Sequence, residues 1–143
     1  MPTGDSTPDL VSATVRRAAR ATPLQRQSAR ILVVDDDPGV IKVLRRILAG
    51  HDVITTMTAR HALAQVSSGL RFDVIFCDLM MPGMTGIQLH SAILEQVPDQ
   101  ADRMVFLTGD PEADPFLHSS VNRSIRKPFD NAALLALVSE SMR

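Results

Sequence analysis

The chain has no tryptophan, no tyrosine and a single cysteine. Without Trp or Tyr the usual platforms for stacking bases are missing, which disfavours single-stranded nucleic acid as a ligand. One cysteine cannot form an intramolecular disulfide, and it excludes a four-cysteine metal site. That residue, Cys77, falls inside an apolar run, where a thiol serves as a small hydrophobe. No apolar stretch approaches the roughly eighteen residues of a membrane span, and the N-terminus lacks the continuous apolar centre of a secretory signal. The expected compartment is therefore the cytoplasm. His51, His61, His90 and His118 share no ligand spacing and are expected on the surface or on helix flanks. Internal repeats and low-complexity runs are absent.

What is present suits one globular domain with a tail. A chain of 143 residues that is 45% apolar and 22% charged can bury a sizeable core without staples. The net charge of -1 hides an asymmetry: residues 1–30 hold five arginines against Asp5 and Asp9, a balance of +3 that leaves -4 for the remainder. Residues 1–29 read as a basic arm, largely disordered or weakly helical, ahead of a folded unit over 30–143. Its first nine residues are polar with two prolines. Val11, Val15, Ala18 and Ala19 then give a thin apolar stripe that Pro23 ends, so a helix there is marginal by itself. The arm reads as a linker, with a partner-docking helix or an anchor to an anionic surface as functional alternatives.

From Ile31 onward apolar runs alternate with helical patterns. Ile31 to Val34 reads as a buried strand, and Pro38 follows at a first helical position with Asp37 as its cap. Val40, Ile41, Val43, Leu44, Ile47 and Leu48 form the inward stripe of that helix, which Gly50 stops. Asp52 to Met57 is β-branched enough for a second strand. Thr58 caps a helix running to Gly69, and Val74 to Cys77 forms a central strand. A helix over about Gly86 to Val97 turns Ile87, Ile93, Leu94 and Val97 inward and is bounded by Pro98. Met104 to Leu107 is the fourth strand. A short or irregular helix is expected between Pro111 and Val121, because Pro115 lies in its first turns. Arg123 to Arg126 is the last strand, and Asp130 caps a final helix packed through Leu134, Leu135, Leu137 and Val138. Five β-α units in succession imply a parallel sheet with helices on both faces.

In such a sheet the carboxyl ends of the strands share one edge, where ligands bind. That edge should hold Asp35 and Asp36, Asp78, Thr108 and Lys127. Like charges repel: at an effective dielectric near 20, a pair about 4 Å apart is worth roughly 4 kcal/mol. Clustered carboxylates must therefore protonate or hold a cation. Oxygen ligands without His or Cys favour a hard ion, and few protein ligands favour Mg²⁺ over Ca²⁺. A carboxylate beside such an ion can attack phosphorus, with Lys127 and Thr108 of the types that steady the moving phosphoryl oxygens. Pro82, Gly83 and Gly86 shape the loop beside Asp78.

These residues, as VVDDD, DLMMPGMTG, LTG and KPF, resemble in order the receiver domain of two-component signalling, as found in hybrid sensor kinases and stand-alone response regulators. The resemblance covers Arg30 to Met142. It implies a flavodoxin-like (βα)5 three-layer α/β sandwich with a five-stranded parallel sheet in the order 2-1-3-4-5. It implies that Asp78 accepts a phosphoryl group from a phosphohistidine. Asp36, Asp78 and the backbone carbonyl of Met80 would bind Mg²⁺ directly, and Asp35 through water. Thr108 and the Gly109 amide would hold phosphoryl oxygens, and Lys127 would pair with the phosphate. The implied partners are a sensor histidine kinase or phosphotransfer protein and a downstream effector, with no direct nucleic acid. A homodimer is left open. Such a module is not a turnover enzyme: it catalyses only its own phosphorylation and dephosphorylation.

Two departures matter. Three residues before Lys127, where many receivers carry an aromatic that swings inward, this chain has Ser124, and the segment Val121-Asn122-Arg123 replaces the small residues that often precede it. Ser124, together with the irregular helix expected before the last strand, motivates an alternative, a pseudo-receiver kept as a docking or dimerisation module without a phosphorylation cycle. An aspartyl phosphohydrolase is disfavoured, because the second Asp such enzymes place two residues after the nucleophile is Met80 here.

Overall fold

The computed structural model describes residues 27–109 and 123–143. The arm and the expected helix between Pro111 and Val121 lie outside the described residues, apart from the arm's last three positions. Five strands, β1 (Arg30–Val34), β2 (Asp52–Thr56), β3 (Val74–Asp78), β4 (Met104–Thr108) and β5 (Arg123–Arg126), pair in parallel in the order β2-β1-β3-β4-β5. The helices are α1 (Pro38–Ile47), α2 (Ala59–Ser67), α3 (Gly86–Gln96), α4 (Pro98–Ala101) and α5 (Asn131–Ser141). The expected flavodoxin-like sheet order is the one observed.

The unbroken apolar runs follow from a sheet covered on both sides. Successive strand residues point to opposite faces. Thus Leu32, Val34, Ile75, Cys77, Met104 and Phe106 join the core under α2, α3 and α4. Their neighbours Ile31, Val33, Val74, Phe76, Val105 and Leu107 join the core under α1 and α5. The interior positions of β1, β3 and β4, namely Ile31–Val34, Val74–Cys77 and Met104–Leu107, therefore need to be apolar whichever way they face.

Helix starts obey the expected side-chain chemistry. The Asp37 carboxylate accepts from the Gly39 amide and Thr58 from the His61 amide, while Asp130 accepts from Ala132 and Ala133. Thr85 and Gln88 complete a reciprocal capping box at α3. The inward stripes need correction at one residue each. Val43, Leu94 and Leu135 are 43%, 49% and 41% exposed, because each sits about 100° around the helix from a buried neighbour, Leu44, Ile93 or Leu134. Leu89, which the stripe of α3 omitted, is fully buried. His51 and His90 are partly buried: His51 Nδ1 accepts from the Ala29 amide at 2.9 Å, and the His90 ring tilts against Phe106.

Pro98 does more than bound α3, since it opens the one-turn α4. There Gln100, 2% exposed, holds the approach to β3: its side-chain oxygen accepts from the Phe72 amide at 2.8 Å, and its amide nitrogen donates to the Phe72 carbonyl at 3.1 Å. Truncation would strand two buried backbone groups. Gln100→Ala is expected to lower unfolding free energy by about 2–3 kcal/mol, read from the urea midpoint at unchanged slope. Among the described residues no helix is long and apolar enough to cross a membrane.

Candidate functional site

The sheet register itself gathers the polar strand ends. Val34 lies beside Cys77, so Asp35 and Asp78 come next on adjacent strands. Asp78 is beside Leu107, so Thr108 follows on β4, and Thr108 is beside Arg126, so Lys127 comes immediately after β5. The chain leaves β1 for β2 on one side while β3 pairs on the other, which opens the crevice between β1 and β3 where the order reverses.

In that crevice Asp35, Asp36 and Asp78 each present a carboxylate oxygen, all within 4.8 Å of one another. Asp35 is wholly buried. Its Oδ1 accepts from the Asp37 amide at 2.9 Å and its Oδ2 from Lys127 Nζ at 3.1 Å, while its own amide donates to the Thr56 carbonyl. Lys127 Nζ also lies 3.5 Å from Asp78 Oδ1. Asp37 stays out of the cluster and caps α1, as its position predicts.

One ammonium facing several carboxylates leaves the pocket short of positive charge. Burial and the charge of Asp35 hold the Asp78 carboxyl above the usual aspartate range, although Lys127 and the Met80 amide oppose this. Burial would discharge Lys127, but its hydrogen bond and attraction to Asp35, with a further pull from Asp78, outweigh that and keep it charged. Burial, aided by Asp78 and Asp35, drives the Cys77 thiol far upward, so it remains protonated and inert.

The loop after Asp78 bends through Gly83, whose φ is 79°, and returns to α3. Gly86 is needed for a different reason from turn geometry. A β-carbon there would stand 2.4 Å from the Asp78 carbonyl oxygen, and its amide donates to the Leu79 carbonyl at 3.0 Å. Met80 is 75% exposed, and its amide reaches Asp78 Oδ1 at 3.4 Å. On β4, the Thr108 carbonyl accepts from the Lys127 amide at 2.8 Å, and Thr108 and Gly109 end the strand at the same edge. The Lys127–Pro128 peptide bond is cis. Sequence reasoning missed one residue at this edge: Arg126 Nη1 donates to the Gly109 carbonyl at 3.2 Å. The alternation of β5, with Ile125 inward, put Ser124 and Arg126 together on the opposite face and was the available signal.

Comparison with known proteins agrees with this geometry. The chain is 34% identical over 119 residues to the DNA-binding response regulator MtrA of Mycolicibacterium smegmatis, covering 80% of this chain and 50% of that protein. It is 39% identical over 69 residues to the transcriptional regulatory protein TcrA of Mycobacterium tuberculosis, of which it spans 27%. The solved structure of the chemotaxis protein CheY4 of Vibrio cholerae superposes with a TM-score of 0.68 at 30% identity, covering 80% of this chain and 98% of that one. Residues 31–139 match the response regulator receiver domain family. A parallel sheet in this strand order, with an acid cluster and a lysine on its carboxyl edge and a family match along most of its length, makes the chain a member of the response regulator receiver domain family.

Proposed function

We propose that the domain takes a phosphoryl group onto Asp78 from the phosphohistidine of a sensor histidine kinase or phosphotransfer protein, and signals to an effector by the resulting change of shape. The observation that carries this reading is the cluster of three carboxylates within 4.8 Å with Lys127 bridging two of them. A docking module without a phosphorylation cycle has no use for so costly a gathering of like charge.

An all-oxygen donor set with one buried member fits a hard divalent ion. Asp36, Asp78 and the Met80 carbonyl would hold Mg²⁺ directly and Asp35 through water; when bound, the ion neutralises charge on the phosphoryl oxygens. An Asp78 carboxylate oxygen attacks phosphorus, the bond from phosphorus to the imidazole nitrogen breaks, and the imidazole leaves with the electron pair and takes up a proton. Lys127 turns from the carboxylates to the incoming phosphoryl oxygens. Thr108 and the Gly109 amide donate hydrogen bonds to the same oxygens. Incubation with a small phosphodonor and Mg²⁺ tests the reading: one acid-stable, hydroxylamine-sensitive phosphoryl group per chain is expected, and none would reject it.

A protein donor must also land beside the pocket. A cleft of about 370 Å³, lined by Val40, Val43, Pro128 and Phe129, opens with Lys127 on its rim. Its continuity with the phosphoacceptor favours the donor's histidine-bearing element as its occupant. Val43→Glu is expected to slow transfer from a phosphorylated protein donor about tenfold, while labelling by a small phosphodonor keeps its rate. Equal slowing of both would place the effect in the pocket instead.

A further inference from the structure

The end of β4 is pinned at two successive carbonyls. The Thr108 carbonyl is held by the Lys127 backbone amide at 2.8 Å, which is ladder pairing that any residue at 127 except proline supplies. The Gly109 carbonyl, one residue beyond the strand, is held by a side chain, Arg126 Nη1 at 3.2 Å. Arg126 sits opposite Thr108 in the register, on the edge strand, with its side chain exposed. Burial does not explain an arginine there, and among the described residues no carboxylate forms a salt bridge with it.

Gly109 has no β-carbon to restrict its backbone, and nothing lies within 4 Å of where one would stand. Its orientation is therefore set by what its backbone groups bond to. We infer that Arg126 is a positioning residue: by fixing the Gly109 carbonyl it holds the Thr108–Gly109 segment ready, so that the hydroxyl and amide donors meet the phosphoryl group on Asp78 without prior ordering. This rests on the phosphoacceptor reading above. Donors aimed in advance lower the barrier because no reorganisation is needed when charge develops. Ser124, two residues earlier on β5, shares this face of the strand with Arg126.

Three variants test this: Arg126→Ala removes the donor, Arg126→Lys keeps a cationic donor, and Arg126→Gln keeps a neutral one. In the unphosphorylated protein, the Gly109 carbonyl carbon resonance should move upfield in Arg126→Ala and stay near its original position in Arg126→Lys. The rate of labelling by acetyl phosphate at saturating Mg²⁺ should fall about three- to tenfold in Arg126→Ala. Arg126→Lys should recover most of it and Arg126→Gln part. The Mg²⁺ dissociation constant, read by calorimetry, should be the same in all four proteins, since the carboxylates are untouched. Normal wild-type labelling with an unaffected Arg126→Ala would overturn the positioning role alone, as would an unmoved Gly109 resonance. A wild-type chain that takes no phosphoryl group would instead overturn the phosphoacceptor reading and this role with it.

Discussion

Replacing Asp78 by asparagine is expected to abolish Mg²⁺-dependent labelling and, in the absence of the ion, to make the protein more stable. The first effect follows from chemistry, since an amide oxygen is too weak a nucleophile to attack phosphorus at a useful rate and forms no acyl phosphate. A loss of at least about a thousandfold is anticipated, the scale on which removal of a nucleophile is felt. The second effect follows from the electrostatics. Burial and Asp35 hold the Asp78 carboxyl above its usual range, so the fold disfavours the ionised form even with Lys127 3.5 Å away. An uncharged isostere removes that cost, and a gain of about 1–2 kcal/mol is expected from relieving one such repulsion at the effective dielectric of a partly solvated site. The sign can be checked by titration. A carboxyl whose folded pKa is raised contributes stability below its unfolded pKa and loses it as the pH rises through the folded value. The ion-free wild type should therefore lose stability relative to Asp78→Asn from the ordinary carboxylate range upward, and saturating Mg²⁺ should close the gap. Labelling retained in Asp78→Asn would move the acceptor elsewhere. A lower melting temperature for the variant in chelator would reject the electrostatic account.

Gly86→Ala is expected to be the most damaging glycine-to-alanine change among the described residues. The added carbon would meet the Asp78 carbonyl oxygen at 2.4 Å, the Leu79 α-carbon at 3.1 Å and the Asp78 carbonyl carbon at 3.2 Å. All three are backbone atoms, so relief cannot come from a rotamer change. Either α3 is pushed outward, breaking the Gly86 amide bond to the Leu79 carbonyl, or the end of β3 shifts. Overpacking of this kind costs about 1–3 kcal/mol and somewhat more when no side chain can yield. Both routes of relief displace Asp78 or its loop, so slower labelling should accompany the drop in denaturation midpoint. By contrast, Gly83→Ala meets no atom and pays only for its left-handed backbone, about 1 kcal/mol. Equal midpoints for the two variants would show that α3 has more freedom than this contact implies.

Much of the architecture was legible because the local signals were redundant. Each of α1, α2 and α5 announced its start with Asp37, Thr58 or Asp130, and β1, β3 and β4 were apolar on both faces before giving way to Asp35, Asp78 and Thr108. The site was legible for the same reason: chemistry clustered at the strand ends, where the sheet order then brought it together. What escaped was relational. Val43, Leu94 and Leu135 look like core residues on any hydrophobicity pattern, and only the angle at which each helix lies on the sheet turns them outward. The Gln100 clamp on Phe72 joins residues 28 apart through backbone atoms that no side-chain pattern records. Gly86 read as loop punctuation, whereas its need arises from a carbonyl eight residues earlier that passes too close for a methyl group. Arg126 entered the sequence reading only as the end of the last strand, because its acceptor is main chain and leaves no side-chain signal.

The support beneath the pocket is unequal. Asp35, Asp36 and Asp78 are borne by two interior strands, each flanked on both sides, whereas Lys127 hangs from β5, four residues long and bordered by β4 alone. Fraying of that rim would carry the ammonium away while the three acids kept their arrangement. The anionic cradle and its counter-charge can thus come apart independently, and the capacity to retain a cation should outlast the capacity to settle a phosphoryl group whenever the border of the sheet loosens.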